Sequence, residues 1–284
     1  MAKPRKSGGD ASVRRRKQAE RKHRQPDADE APKGERAQDG PMRLNRFLAR
    51  AGVASRRAAD VLIADGHVTL NGEVVTEMGV QVSPSDHVEV DGQPVGLGSL
   101  VYVLLNKPTD TITTASDDRG RRTVLDVASG VDAEGLFPVG RLDRATTGAL
   151  LLTTDGELAH RLMHPSYGAV KLYVVTTAEP VATAQVDALK RGIELEDGLA
   201  RADHAERFKG DPRDVALQLH EGRNRQVRRM FEALGHRVVA LDRIGYAGLD
   251  LSGLRRGRWR HLQPHEVNTL RRSVKLKPIR FAEG

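Results

Sequence analysis

Apolar residues recur along this chain with two periods, and the changes between them mark its elements. Residues 1–41 carry almost no large apolar side chains. Such a stretch cannot bury enough surface to offset its ordering entropy, so it is predicted to be a disordered basic tail. From Met42 the pattern turns helical: Leu44, Phe47, Leu48 and Ala51 stand at i, i+3, i+4 and i+7, and Gly52 ends the run. Ser55 follows as an N-cap for a second short helix, with Ala59, Leu62 and Ile63 on its apolar face and Gly66 closing it. The period then drops to two. Val68-Thr69-Leu70 and Glu73-Val74-Val75 flank Asn71-Gly72, a pair suited to a tight hairpin turn. A further strand, 86–90, leads to Asp91-Gly92. The result is an αα-β unit of about 55 residues, small but able to fold.

Residues 93–99, rich in Gly, Pro and Ser, read as a gap before a second region. That region opens on a buried-type strand at 100–105, stopped by Asn106-Lys107-Pro108. Strand patterns recur at 149–153, 171–176 and 215–219, and helical ones at 157–163, 181–191 and 224–234. They alternate without a regular βαβ rhythm, so the pattern predicts an α+β fold rather than a doubly wound one. The expected organisation is a tail at 1–41, a small module at 42–98, a larger domain at 99–270 and a basic tail at 271–284.

Charge sharpens this picture mainly through its placement. Residues 1–41 hold 12 Lys and Arg against 7 Asp and Glu, so they supply +5 of the net +8. The remainder is nearly balanced, and any polyanion site there must come from local clustering. The block Arg14-Arg15-Arg16-Lys17 could touch phosphate without selectivity, or only solubilise the chain. The absence of cysteine excludes disulfides, thiolate catalysis and Cys-based metal sites. No apolar run approaches a membrane span and the N-terminus lacks a secretory apolar core, so a cytoplasmic protein without membrane contact is expected.

One cluster stands out in the small module. Arg43, Arg46, Arg50, Arg56 and Arg57 fall within a stretch that contains no acid. Guanidiniums match phosphate oxygens in geometry, so two adjacent helices so decorated suit an RNA backbone. The stretch 42–57, with Gly66-His67-Val68 and Leu70-Asn71-Gly72, resembles the RNA-binding module named after small-subunit ribosomal protein four. The resemblance implies structured-RNA binding and says nothing of catalysis.

The larger domain lacks a Gly-x-x-x-x-Gly-Lys-Ser/Thr loop, which excludes that route to nucleotide hydrolysis. His160 and His164 have a metal-compatible spacing, but Arg161 stands where a zinc protease would carry its glutamate, so no metal is expected. The informative segment is 137–156, where Gly140-Arg141-Leu142-Asp143-Arg144 precedes the apolar strand. Neighbouring guanidiniums favour an ionised carboxylate, available as nucleophile or base. Taken alone, Asp143 could equally be a turn residue.

This loop has companions in order along the chain: Leu105-Asn106-Lys107-Pro108 with Thr111-Ile112-Thr113-Thr114 and residues 117–122, Lys171-Leu172-Tyr173-Val174-Val175, and the stretch 221–231 containing Gln226-Val227-Arg228. Together they resemble the ribosomal-RNA pseudouridine synthases of the RsuA/RluB group, over about residues 100–267. The resemblance implies an α+β, mainly antiparallel synthase domain that isomerises uridine without a cofactor. It implies that Asp143 is the catalytic aspartate, that Tyr173 stacks on the target uracil, and that Arg228 pairs with Asp143. Arg141, Arg223, Arg225 and Arg229 would extend the RNA surface. The expected partner is ribosomal RNA, by preference the large-subunit (23S) species, bound by a monomer. Small-subunit (16S) RNA as target, and a non-catalytic RNA-binding assembly factor, stay open as alternatives.

Overall fold

The computed structural model describes residues 40–208 and 210–281; the expectations for residues 1–39, including the block 14–17, lie outside them. In the small module, strand β1 (Met42–Arg43) leads into helix α1 (Leu44–Arg50), which buries Leu44, Phe47 and Leu48. Helix α2 (Arg56–Ala64) starts at Ser55, whose hydroxyl accepts the Ala58 amide at 3.2 Å, and it buries Ala59 and Ile63. Strands β2 (Val68–Leu70), β3 (Glu73–Val74), β4 (Gln81–Val82), β5 (Val88–Val90) and β6 (Gln93–Val95) follow. They form a four-stranded sheet in the order β3-β2-β5-β6, while β4 pairs with β1. Asn71-Gly72 and Asp91-Gly92 all have positive φ (54°, 86°, 49° and 74°), as a two-residue hairpin turn requires. The gap expected at 93–99 is thus shorter than its composition suggests. Pro94 is accommodated because β6 is an edge strand, where a missing N–H costs no ladder bond.

The larger domain is built on one nine-stranded sheet. It comprises β7 (Tyr102–Lys107), β8 (Phe137–Pro138), β9 (Thr147–Thr153), β10 (Lys171–Thr177), β13 (His204–Arg207), β14 (Asp214–Leu219), β15 (Val238–Tyr246), β16 (Leu249–Asp250) and β17 (Trp259–His261). The hairpin β11 (Ile193–Leu195) and β12 (Gly198–Ala200) stands apart. The main order is β13-β14-β10-β15-β9-β7-β17, antiparallel throughout except where β15 runs parallel to β9. Helices α3 (Val124–Val127), α4 (Gly156–Met163), α5 (Thr183–Arg191), α6 (Gln226–Ala233) and α7 (Pro264–Ser273) complete it. This is the mixed, mainly antiparallel α+β architecture expected.

Alternation along β9 divides its side chains between two cores. Ala149 and Leu151 enter one, together with Leu158 and Leu162 of α4 and Val267 and Leu270 of α7. Leu150 and Leu152 enter the other, with Val124 and Val127 of α3. Burial on both faces is why this strand reads as a continuous apolar run. A third core joins β10 and β14 to α5 and α6.

The C-terminal segment corrects the expected tail at 271–284. Arg271 is buried, donating through Nε to Lys277 O at 2.7 Å, and Val274 and Ile279 belong to the first core. Isolated apolar residues among basic ones place the chain through Phe281 on the domain. No helix among the described residues is long and apolar enough to cross a membrane.

Candidate active site

The Asp143 loop leaves the sheet at β8 and returns at β9. Gly140 takes φ +75° at its entry. Leu142 is buried and held by Thr113: its amide donates to Thr113 Oγ1 at 3.2 Å and its carbonyl accepts that hydroxyl at 2.7 Å. The turn closes through Thr146 N, which donates to Asp143 O at 3.0 Å. Beneath it lies Lys107, the last residue of β7 and fully buried. Its Nζ donates to the carbonyls of Thr146 (2.8 Å), Pro108 (3.1 Å), Asp143 (3.2 Å) and Arg144 (3.3 Å). Burial pushes this ammonium down to about 8, opposed by the nearby Asp143 charge. Arg256 adds a second brace, donating to Asn106 Oδ1 at 2.6 Å and Asp242 Oδ2 at 2.8 Å.

These supports leave the Asp143 carboxylate 40 % exposed at the wall of an open cleft. The cleft is also lined by Arg141, Thr146, Tyr173, Glu221, Arg223 and Arg225. Tyr173, on β10, is half-buried between two cores and presents its ring to the same space.

The guanidinium nearest the carboxylate differs from expectation. Arg225 Nη1 lies 3.9 Å from Asp143 Oδ2, with Arg225 held at φ +47° immediately before α6. Arg228, expected to pair with Asp143, instead donates from Nη1 to Val238 O at 3.2 Å, and its Nε has no hydrogen-bond partner. It still lies in the field of Asp143 and is only 9 % exposed; burial lowers its pKa, the Arg225 charge adds to that, and Asp143 opposes it. The helical spacing puts Arg225 at the start of α6 and Arg228 one turn on, facing the core, so the exposed member reaches Asp143 first.

Two further arginines, expected on the RNA surface, have partners within the protein. Arg223 donates to the carbonyls of Gly198 (2.8 Å) and Leu199 (2.6 Å) and pairs with Glu221 at 3.2 Å. Arg229 forms a bidentate pair with Asp197 at 2.8 and 2.9 Å, and these bonds hold the Asp197 carboxyl down at about 2. Arg229 fastens the β11–β12 hairpin to α6, and Arg223, which also lines the cleft, fastens it to the loop before that helix. In the small module Arg43, Arg56 and Arg57 are exposed and Arg46 is half-buried, whereas Arg50 is half-buried and desolvated beside Asp155 and Tyr102. Arg141 is exposed at the cleft.

Lys107 stood in the sequence only as part of the motif Leu105-Asn106-Lys107-Pro108, with no role of its own. The signal for Lys107 was present: a lysine at the end of an uninterrupted apolar strand needs a structural partner. Among the described residues no group of three or more His, Asp or Glu could hold a metal ion; His160 and His164 are both exposed, with ring centroids 5.8 Å apart.

A carboxylate, a tyrosine and guanidiniums around one cleft, behind a module with exposed arginines, describe an enzyme acting on a polyanion. Comparison with known proteins makes the class specific. Residues 42–88 match the S4 domain, and residues 101–233 match the RNA pseudouridylate synthase family. Ribosomal large subunit pseudouridine synthase B of Bacillus subtilis is 48 % identical over 233 residues, 81 % of this chain and 95 % of that protein. An uncharacterized RNA pseudouridine synthase of Mycobacterium tuberculosis is 45 % identical over 83 % of this chain and 95 % of its own length. A crystal structure of a pseudouridylate synthase, 33 % identical, superposes with a TM-score of 0.58 over 81 % of this chain and 99 % of that one. The chain belongs to the RNA pseudouridine synthases, isomerases that convert uridine to pseudouridine, and it is of the kind that carries an S4 domain.

Proposed function

We propose that this enzyme isomerises a specific uridine of ribosomal RNA, in the large subunit, with Asp143 as the catalytic carboxylate. The observation that carries the reading is the convergence of Asp143, Tyr173 and Arg225 on one cleft while Lys107 fixes the loop from below. The large-subunit assignment is supported by the relative in Bacillus subtilis, whose name specifies that subunit.

The reaction breaks the N1–C1′ bond of uridine, turns the base while it stays bound, and joins C5 to C1′; N1 gains a proton and C5 gives one up. The target nucleotide must first leave its stack, at a cost of a few kcal/mol. Tyr173 offsets this by stacking on the base, and its hydroxyl takes part in proton removal at C5. Asp143 acts on the sugar as nucleophile or as base, with Arg225 at 3.9 Å from its carboxylate. Arg141, at the mouth of the cleft, contacts the RNA backbone. Arg43, Arg46, Arg56 and Arg57 anchor structured RNA at the small module.

The test is pseudouridine mapping in large- and small-subunit RNA incubated with the native enzyme and with Asp143→Asn. The reading expects one modified large-subunit uridine with native enzyme and none with the variant. Wild-type conversion by Asp143→Asn removes the catalytic assignment, and a product confined to small-subunit RNA removes the target assignment.

A further inference from the structure

The small module is joined to the catalytic domain through Gly96-Leu97-Gly98-Ser99, and both glycines have open space around them. A linker of this composition is flexible and by itself would let the module swing. The chain on either side of it forms a contact that opposes such motion. Gly52, just past α1, has φ +78°, and a Cβ there would lie 2.5 Å from Glu134 Cβ and 3.0 Å from Gly135 N. Gly135, with φ +70°, faces back: a Cβ there would lie 2.9 Å from Arg50 O and 3.0 Å from Ala49 O. Two glycines from different domains therefore let main chain meet main chain at a spacing that a side chain on either would prevent.

Arg50, the last residue of α1, stands at this contact. Its guanidinium is withdrawn from water and lies in the field of Asp155 and Tyr102, both in the catalytic domain. Asp155 is a buried node that accepts from Tyr102 Oη at 2.9 Å, from Arg271 Nη1, and from the amides of Glu157 and Leu158 at the start of α4. Burial is the larger effect on this guanidinium, and the Asp155 charge offsets part of that cost in the docked module. Residues 134 and 135 also lead directly into β8 and the Asp143 loop.

We propose that the Gly52–Gly135 contact and Arg50 form a clasp that holds the S4 module at a fixed span from the Asp143 cleft, so that a uridine is selected by its distance from the anchored RNA. Selection rests on the function proposed above; the clasp itself does not. Arg50 is then a positioning residue and not an RNA contact.

Because the chain has no cysteine, spin labels can be placed at will. Glu73→Cys and Arg191→Cys, both at exposed positions, put one nitroxide on the module hairpin and one on α5. Double electron–electron resonance on the labelled full chain should give one narrow distance peak. That peak should be lost in Gly135→Val and in Arg50→Ala, and retained in Arg50→Lys, with circular dichroism verifying the fold of each. A broad distribution in the parent, or a narrow peak that survives both Gly135→Val and Arg50→Ala, overturns the clasp. With transcribed ribosomal RNA, Gly135→Val should raise KM on the order of tenfold while kcat at saturating RNA holds, since only the pairing of two contacts is lost. An unchanged KM overturns distance selection, and a parent enzyme inactive on ribosomal RNA overturns the functional reading while leaving the spectroscopic result standing.

Discussion

Lys107 shows how much a single buried side chain contributes to this site. Its ammonium has three N–H bonds for four carbonyl oxygens, three of them in the turn that carries Asp143, so one contact is shared. Lys107→Met keeps the volume and removes every donor. The turn then loses its floor, and displacement of a reacting group by about 1 Å can cost on the order of 100-fold in rate. We expect kcat to fall 10- to 100-fold, about 1.4 to 2.7 kcal/mol, with little change in KM; a variant with native kcat would show that the turn holds its shape unaided. The same residue predicts a pH effect on stability. Burial lowers the folded-state pKa to about 8 from an ordinary 10.5, so between these values the unfolded chain holds a proton that the folded chain lacks. Stability from this group therefore rises with pH across that window and is flat below it. In denaturant titrations from pH 7 to 10 the native enzyme should gain on Lys107→Met; a difference independent of pH removes the assignment.

At the scale of elements, the site depends on a crossing of two strands that a single glycine permits. Gly148 sits where β9 runs parallel to β15, with φ +109°, and a Cβ there would lie 2.2 Å from Arg243 O and 2.7 Å from its N and C. No side-chain rearrangement relieves a clash with backbone. Gly148→Ala should cost at least about 3 kcal/mol of stability, read by denaturant unfolding, and a cost under about 1 kcal/mol would mean that the strands can part. This pairing also explains what was legible beforehand. The helix faces at Leu44–Ala51, the Asn71-Gly72 turn and the apolar run at 149–153 are local signals, and each matches the structure closely. β15 was missed because it carries Asp242 and Arg243 mid-strand, and their partners, Arg256, Thr147 and the carbonyl of Ala149, come from elsewhere in the chain. The site was legible as motifs but not as geometry. Gln226-Val227-Arg228 marks the correct helix, yet nothing local shows that Arg228 turns toward Val238 while Arg225 reaches Asp143.

For the molecule as a whole, the arginines divide into those that hold the protein together and those that face outward, and salt dependence can tell them apart. Arg223 and Arg229 fasten the β11–β12 hairpin, and Arg50 belongs to the contact between domains. Arg43, Arg56 and Arg57, with the half-buried Arg46, remain on the module, and Arg141 and Arg225 at the cleft. An arginine that neutralises a phosphate releases counterions, and each such contact contributes about 0.7 to 0.9 to the slope of log K against log salt. Arg56→Ala should therefore weaken binding to ribosomal RNA and flatten that slope by nearly one. Arg229→Ala should leave the slope unchanged, because its charge is already matched by Asp197 at 2.8 Å. Its ion pair is open to water, so the variant should stay folded and the comparison should be fair. Binding titrations of both variants over a range of potassium chloride concentrations decide the matter. Equal flattening in the two would place Arg229 on the RNA and return the footprint to one defined by charge alone; flattening in Arg56→Ala only would mean that the fold, by pairing some arginines internally, chooses which of its cations meet the RNA.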